Sequence, residues 1–114
     1  MEVKRGDVFL VDLNPVVGTE QAGIRPALVV QIDKANAASP HTIIIPFTTR
    51  IREAKLPSHV RISAGDGGLP EQSVLLCEQI RVIDKRRLVH RIGSVEEEYL
   101  REVGIAIKVT LGLK

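Results

Sequence analysis

Apolar positions fall in short blocks along most of this chain and take up a helical period only near its end. From Asp7 to Leu13, DVFLVDL is apolar and rich in β-formers, and Asn14-Pro15 breaks it, which predicts a strand and a turn. RPALVVQ, Arg25 to Gln31, reads as a second strand, with Pro26 confined to its start or edge because proline lacks a ladder donor. A short turn or helical piece is expected around Asp33 to Ser39. TIIIPFTTR, Thr42 to Arg50, gives a third strand with a polar end. HVRIS (His59 to Ser63) alternates, GDGG (Gly65 to Gly68) turns, and SVLLCEQIRVI (Ser73 to Ile83) predicts one long buried strand. RLVHRIGSV (Arg87 to Val95) adds another strand after a helical turn at Asp84 to Arg86.

The helical period comes last: Leu100, Val103, Ile107 and Leu111 share one face. Before them, Ser94-Val95-Glu96-Glu97 has the S-x-x-E form of a capping box. Short strands divided by Gly and Pro turns and closed by one helix predict an α+β fold that is mainly β. The expected architecture is a small, strongly curved antiparallel sheet or barrel forming a single domain over residues 1–114.

Composition narrows the function classes. The chain has 114 residues, 44% hydrophobic and 26% charged, which suits one core that needs no structural metal or disulfide. Cys77 is the only cysteine, so no intrachain disulfide forms and a reducing, cytoplasmic location is expected. No apolar run approaches the roughly 18 residues of a membrane span, so no membrane association is expected. A net charge of +2 is compatible with a nucleic-acid partner without requiring one. His41, His59 and His90 lie on different elements, which argues against a histidine acid and base pair or a metal site.

GTEQAGIRP, Gly18 to Pro26, has the glycine frame of a phosphate-cradling loop. A nucleotide loop of that kind needs Lys and Ser or Thr next, opening a helix. This one continues with Ile24, Arg25 and Pro26 into a strand, so that reading fails. What remains is an arginine biased to extended backbone by Pro26, with a planar fork of donors suited to phosphate oxygens. Arg5-Gly6-Asp7 is read as a turn before a strand, and Asp84 to Arg87 (DKRR) as a solvated basic turn.

KRGDVFLVDLNPVVGTEQAGIRPALVVQ, the strand ending in Thr48, and EQIR at Glu78 to Arg81 occur in the order found in the MazF/PemK family of toxin endoribonucleases. The chain resembles that family over essentially its whole length. The resemblance implies an SH3-like five-stranded antiparallel barrel with a C-terminal helix, shared by CcdB-like and MazF-like toxins, and a homodimer. It implies cleavage of single-stranded RNA at a preferred sequence with no metal and no cofactor, restrained by a cognate MazE-like antitoxin. The family's active-site arginine falls on Arg25 and its hydroxyl residue on Thr48, with Thr49 as the adjacent alternative. Glu20, or the phosphate itself with solvent, is the candidate acceptor of the 2′-OH proton, since guanidinium is not deprotonated in proteins. Thr19, Gln21, Glu78, Gln79 and Arg81 are the candidate RNA contacts. The competing function is a non-catalytic toxin of the same fold that poisons a topoisomerase.

Overall fold

The computed structural model describes residues 1–51 and 56–114. Seven strands and two helices occur in chain order: β1 (Asp7–Asp12), β2 (Ile24–Val29), α1 (Asp33–Ala38), β3 (His41–Thr48), β4 (His59–Ile62), β5 (Ser73–Leu76), β6 (Arg81–Asp84), β7 (Leu88–Ser94) and α2 (Glu97–Leu111). Five of the strands form one antiparallel sheet, in the order β6-β3-β2-β1-β7. The far end of β3 leaves that sheet and pairs with β5, which pairs with β4. The mainly β, antiparallel expectation is therefore met. There are seven strands among the described residues rather than five, with β4 and β5 making a second, smaller sheet around the shared β3.

Both faces of the larger sheet are covered, which is why its strands read as nearly continuous apolar runs. One face contributes Val8, Leu28, Ile45 and Phe47 to a core shared with Val60, Ile62 and Leu75 of the smaller sheet and with Leu100, Val103 and Ala106 of α2. The other contributes Phe9, Val11, Leu13, Ala27, Val29, Ile44, Ile83 and Leu88 to a second core. Successive strand residues point to opposite faces, so Val8 and Phe9, or Leu28 and Val29, serve different cores. At the end of β2 and β3, Asn36 of α1 fills a buried polar site. Its Oδ1 accepts from Gln31 Nε2 at 2.9 Å and from Thr42 Oγ1 at 2.7 Å, tying α1 to both strands.

Three sequence expectations change. The stretch Ser73 to Ile83 is not one strand: β5 and β6 are separated by a 3₁₀ turn at Cys77–Gln79. Both halves nonetheless run against β3. Moving three residues along β3, from Phe47 to Ile44, the partner chain advances six, from Leu75 to Arg81. Three residues are therefore extra, and they bulge out at the level of Pro46, which has no ladder donor to offer. Secondly, Ser94 does not cap α2. It ends β7, paired with Asp7, and the N-cap position is Glu96 without a side-chain cap. Thirdly, Leu111 lies on the predicted stripe yet is 54% exposed, because α2 runs on past the core it covers. The helix ends at Gly112 in left-handed conformation, with the Leu113 N–H donating to the Lys108 carbonyl at 2.8 Å.

Candidate functional site

The segment between β1 and β2 is a loop fastened at several points. At its neck, Leu13 N donates to Gly23 O at 2.9 Å and Gly23 N to Asn14 Oδ1 at 3.1 Å. Gly23 has φ +79°, a conformation that L side chains rarely adopt, so the closing turn requires glycine there. Within the loop, Glu20 Oε1 accepts from Val17 N at 2.6 Å. Arg87, just before β7, donates from Nη1 to the carbonyls of Asp12 (3.0 Å) and Asn14. The basic DKRR segment is therefore partly structural: Arg86 pairs with Asp84, Lys85 Nζ donates to Asn36 O, and Arg87 holds the loop.

Beneath this loop lies a polar cleft of about 360 Å³. Its floor is Leu13, Pro46 and Ile80, its loop side Glu20 and Gln21, and its opposite side Glu78, Gln79 and Arg81. Five of the candidate residues from two distant sequence segments thus meet at one cavity. The three-residue bulge explains the second group: leaving the ladder frees Glu78 and Gln79 to project from the sheet. Gln79 Oε1 accepts from the Gln21 backbone N–H at 3.0 Å, so the two sides of the cleft touch. Glu78 Oε2 lies 3.1 Å from His59 Nε2, across to β4. The Arg81 side chain makes no hydrogen bond or ion pair among the described residues, its backbone being paired with Ile44, and Thr19 stands exposed in the loop.

Arg25 lies near the start of β2 and Thr48 at the end of β3. Ala27 is opposite Pro46 in the β2 and β3 register, and two residues further along each strand come Arg25 and Thr48. Within a strand, positions two apart share a face, so Arg25 goes with Ala27 and Thr48 with Pro46, one of the residues lining the cleft. Thr49, the next residue, lies just beyond the end of β3. Arg25 is exposed and its Nε donates to Ala22 O at 3.0 Å, which orients the guanidinium while both Nη groups keep their donors. Thr48 Oγ1 accepts from Arg50 N at 3.2 Å, leaving its hydroxyl hydrogen to donate.

The apolar floor and the His59 partner of Glu78 were not foreseen from the sequence. A signal for the floor existed: a proline inside the β3 run marks an interruption of pairing on one side. His59 gives no such signal, because its partner is nineteen residues away and is set by the register of β4 on β5. Among the described residues no three His, Cys, Asp or Glu side chains gather as a metal-ligand set, and no helix is long and apolar enough to cross a membrane. Cys77, at the start of the bulge, points into the core; burial, then the nearby Glu78 charge, pushes its thiol up to about 12.

Comparison with known proteins gives this geometry a context. Residues 4–111 match the family described as PemK-like, MazF-like toxin of type II toxin-antitoxin system. The chain is 49% identical over 113 residues to the endoribonuclease EndoA of Bacillus subtilis, covering 99% of this chain and 97% of that one. It is 45% identical over 111 residues to the endoribonuclease MazF of Staphylococcus saprophyticus, covering 97% and 92%. The crystal structure of MazF from Deinococcus radiodurans superposes with a TM-score of 0.86 at 26% identity, over 99% of each chain. A mycobacterial endoribonuclease in complex with its cognate antitoxin shares the fold, with a TM-score of 0.82 at 23% identity over 98% of this chain and 97% of the other. The chain belongs to the PemK-like, MazF-like family of toxins of type II toxin-antitoxin systems.

Proposed function

We propose that this protein is the toxin of a type II toxin-antitoxin system and acts as an endoribonuclease on single-stranded RNA, in the cytoplasm and as a homodimer. The observation that carries the reading is the polar cleft shared by Glu20 and Gln21 with Glu78, Gln79 and Arg81, with Arg25 and Thr48 each two residues beyond the pair of Ala27 and Pro46 that joins β2 to β3. Unpaired bases are recognised through their exposed edges, and Gln21, Glu78, Gln79 and Arg81 offer both donors and acceptors to them.

In the proposed reaction the ribose 2′-oxygen attacks the adjacent phosphorus and the bond from phosphorus to the 5′-oxygen breaks. The products are a 2′,3′-cyclic phosphate and a 5′-hydroxyl. The Glu20 carboxylate takes the 2′-OH proton, either directly or through water, and solvent returns a proton to the leaving oxygen. Arg25 donates to the phosphoryl oxygens, where charge accumulates in the transition state, and Thr48 donates its hydroxyl hydrogen to one of them. No step requires a metal ion. A flexible, acidic antitoxin segment lying along the same cations blocks RNA by occupying its site.

The deciding experiment incubates the purified protein with a single-stranded RNA oligomer in excess chelator. Cleavage giving a 5′-hydroxyl product, lost in Arg25→Ala, is expected. A 5′-phosphate product overturns the 2′-OH mechanism, and a requirement for added metal overturns the metal-free one. Topoisomerase poisoning without RNA cleavage is the contrary outcome for the function itself; the endoribonuclease names carried by relatives 45% and 49% identical weigh against it.

A further inference from the structure

Gln79 occupies an unusual position: it belongs to the bulge between β5 and β6, yet its side chain reaches the loop between β1 and β2. The partner there is a backbone N–H, which can only donate. The atom facing it must therefore be the carbonyl oxygen Oε1, and this fixes the amide's orientation. The contact, at 3.0 Å, spans 58 residues of sequence and is the one side-chain hydrogen bond described between the two sides of the cleft. The bulge itself is anchored from its other side, since the adjacent Glu78 carboxylate lies 3.1 Å from His59 Nε2 at the start of β4. The loop's neck is held by Arg87 and Asn14. Among the described residues, its distal half, where Glu20 and Gln21 lie, is held against the rest of the fold by Gln79 and, at Ala22, by Arg25 Nε.

We propose that Gln79 is a positioning residue: its Oε1 latches the Gln21 backbone and so sets where the Glu20 side of the loop stands relative to Arg25 and Thr48. This rests on the endoribonuclease reading of the cleft and adds to it a role that a direct RNA contact by Gln79 does not require. The latch needs only an acceptor at the end of a side chain of this length. Glutamate supplies one, whereas methionine has similar length and only a weak sulfur acceptor.

Gln79→Glu and Gln79→Met separate the possibilities through two measurements on the full-length protein. The first is hydrogen exchange at the Gln21 amide without RNA. Exchange in Gln79→Met should be roughly three- to tenfold faster than in wild type, as loss of one ordinary hydrogen bond implies, and should stay slow in Gln79→Glu. The Val30 amide, bonded to Ile43 O at 2.9 Å in the core, reports whether either variant has loosened globally. The second is steady-state cleavage. The added charge in Gln79→Glu raises KM, but kcat should fall several-fold further in Gln79→Met than in Gln79→Glu. Unchanged Gln21 exchange in Gln79→Met overturns the latch. Equal loss of kcat in both variants, with Gln21 still protected in Gln79→Glu, overturns its role in positioning. If the wild-type protein does not cleave RNA at all, the functional reading fails on its own and the exchange measurement still decides the latch.

Discussion

Arg87 grips the loop between β1 and β2 by its backbone, donating from one nitrogen to the carbonyls of Asp12 and Asn14. An arginine 75 residues from Asp12 in sequence thus controls the angle at which the loop leaves β1. Arg87→Ala should lower kcat/KM for RNA about tenfold, the equivalent of about 1.4 kcal/mol, through misplacement of Glu20 and Gln21. Arg87→Lys keeps the charge but not the planar fork, and should recover only part of the loss. Steady-state cleavage at two ionic strengths checks this: loss of a long-range RNA attraction would shrink at high salt, whereas loop misplacement would not.

Thr48 ends β3, whereas Thr49 lies beyond the strand. Thr48→Ala should reduce the rate of cleavage about tenfold or more, as expected for a hydrogen bond to a charged group, while Thr49→Ala should change it less than about threefold. Single-turnover cleavage with RNA in slight deficit reads the chemical step directly. A larger effect at Thr49 would mean that Thr49, not Thr48, supplies the hydroxyl.

Two glycines hold the crossing between the turn after β4 and strand β7. A Cβ on Gly68 would lie 2.0 Å from the Ile92 carbonyl oxygen, and one on Gly93 would lie 2.5 Å from the Gly67 backbone. Backbone cannot retreat as a side chain tip can, so Gly93→Ala should cost about 3 kcal/mol or more of stability, at or above the top of the range for overpacked sites. Gly104 is the contrast: it lies inside α2 with nothing within 4 Å of the added atom. Gly104→Ala should stabilise by about 0.5–1 kcal/mol. Urea denaturation of both variants, compared by midpoint at constant slope, tests the pair.

Acid should leave the Asp84 carboxyl ionised well below the ordinary aspartate range. Arg86 donates to Asp84 from its side chain at 3.0 and 3.1 Å and from its backbone at 2.8 Å, holding the Asp84 carboxyl down to about 2. A depressed folded value favours the folded state above the ordinary aspartate range near about 4, and that contribution disappears as pH falls from there through about 2. The pair is solvent-exposed, so its effect on stability is small. Carboxyl NMR titration should show Asp84 moving back to the ordinary range in Arg86→Ala.

Much of the site can be read from the sequence because its residues cluster in two short motifs, and a motif keeps its spacing whatever the fold. Residues Glu20, Gln21, Glu78, Gln79 and Arg81 meet as two motifs facing each other. What was hidden is how they meet. SVLLCEQIRVI is apolar enough to pass for one strand, and only the partner β3, changing from β5 to β6, forces the excursion at Cys77–Gln79. Ser94 misleads for a related reason: a capping box looks the same whether its serine precedes a helix or ends a strand already committed to Asp7. By contrast α2 was legible from its period alone, since Leu100 and Val103 pack where a 3.6-residue repeat puts them.

Strand β3 belongs to both sheets: Pro46 is paired with Ala27 of β2, and Thr48, two residues on, with Val74 of β5. Pro46, which lines the cleft, thus belongs to a strand shared by two sheet layers that pack on one core. Exchanging loop residues around it alters what the cleft reads without disturbing either layer, whereas a core substitution that shifts one layer against the other moves Thr48 relative to Arg25. Such a fold can diversify its target while keeping its cutting geometry, and variation should collect in the loops and the bulge rather than along β3.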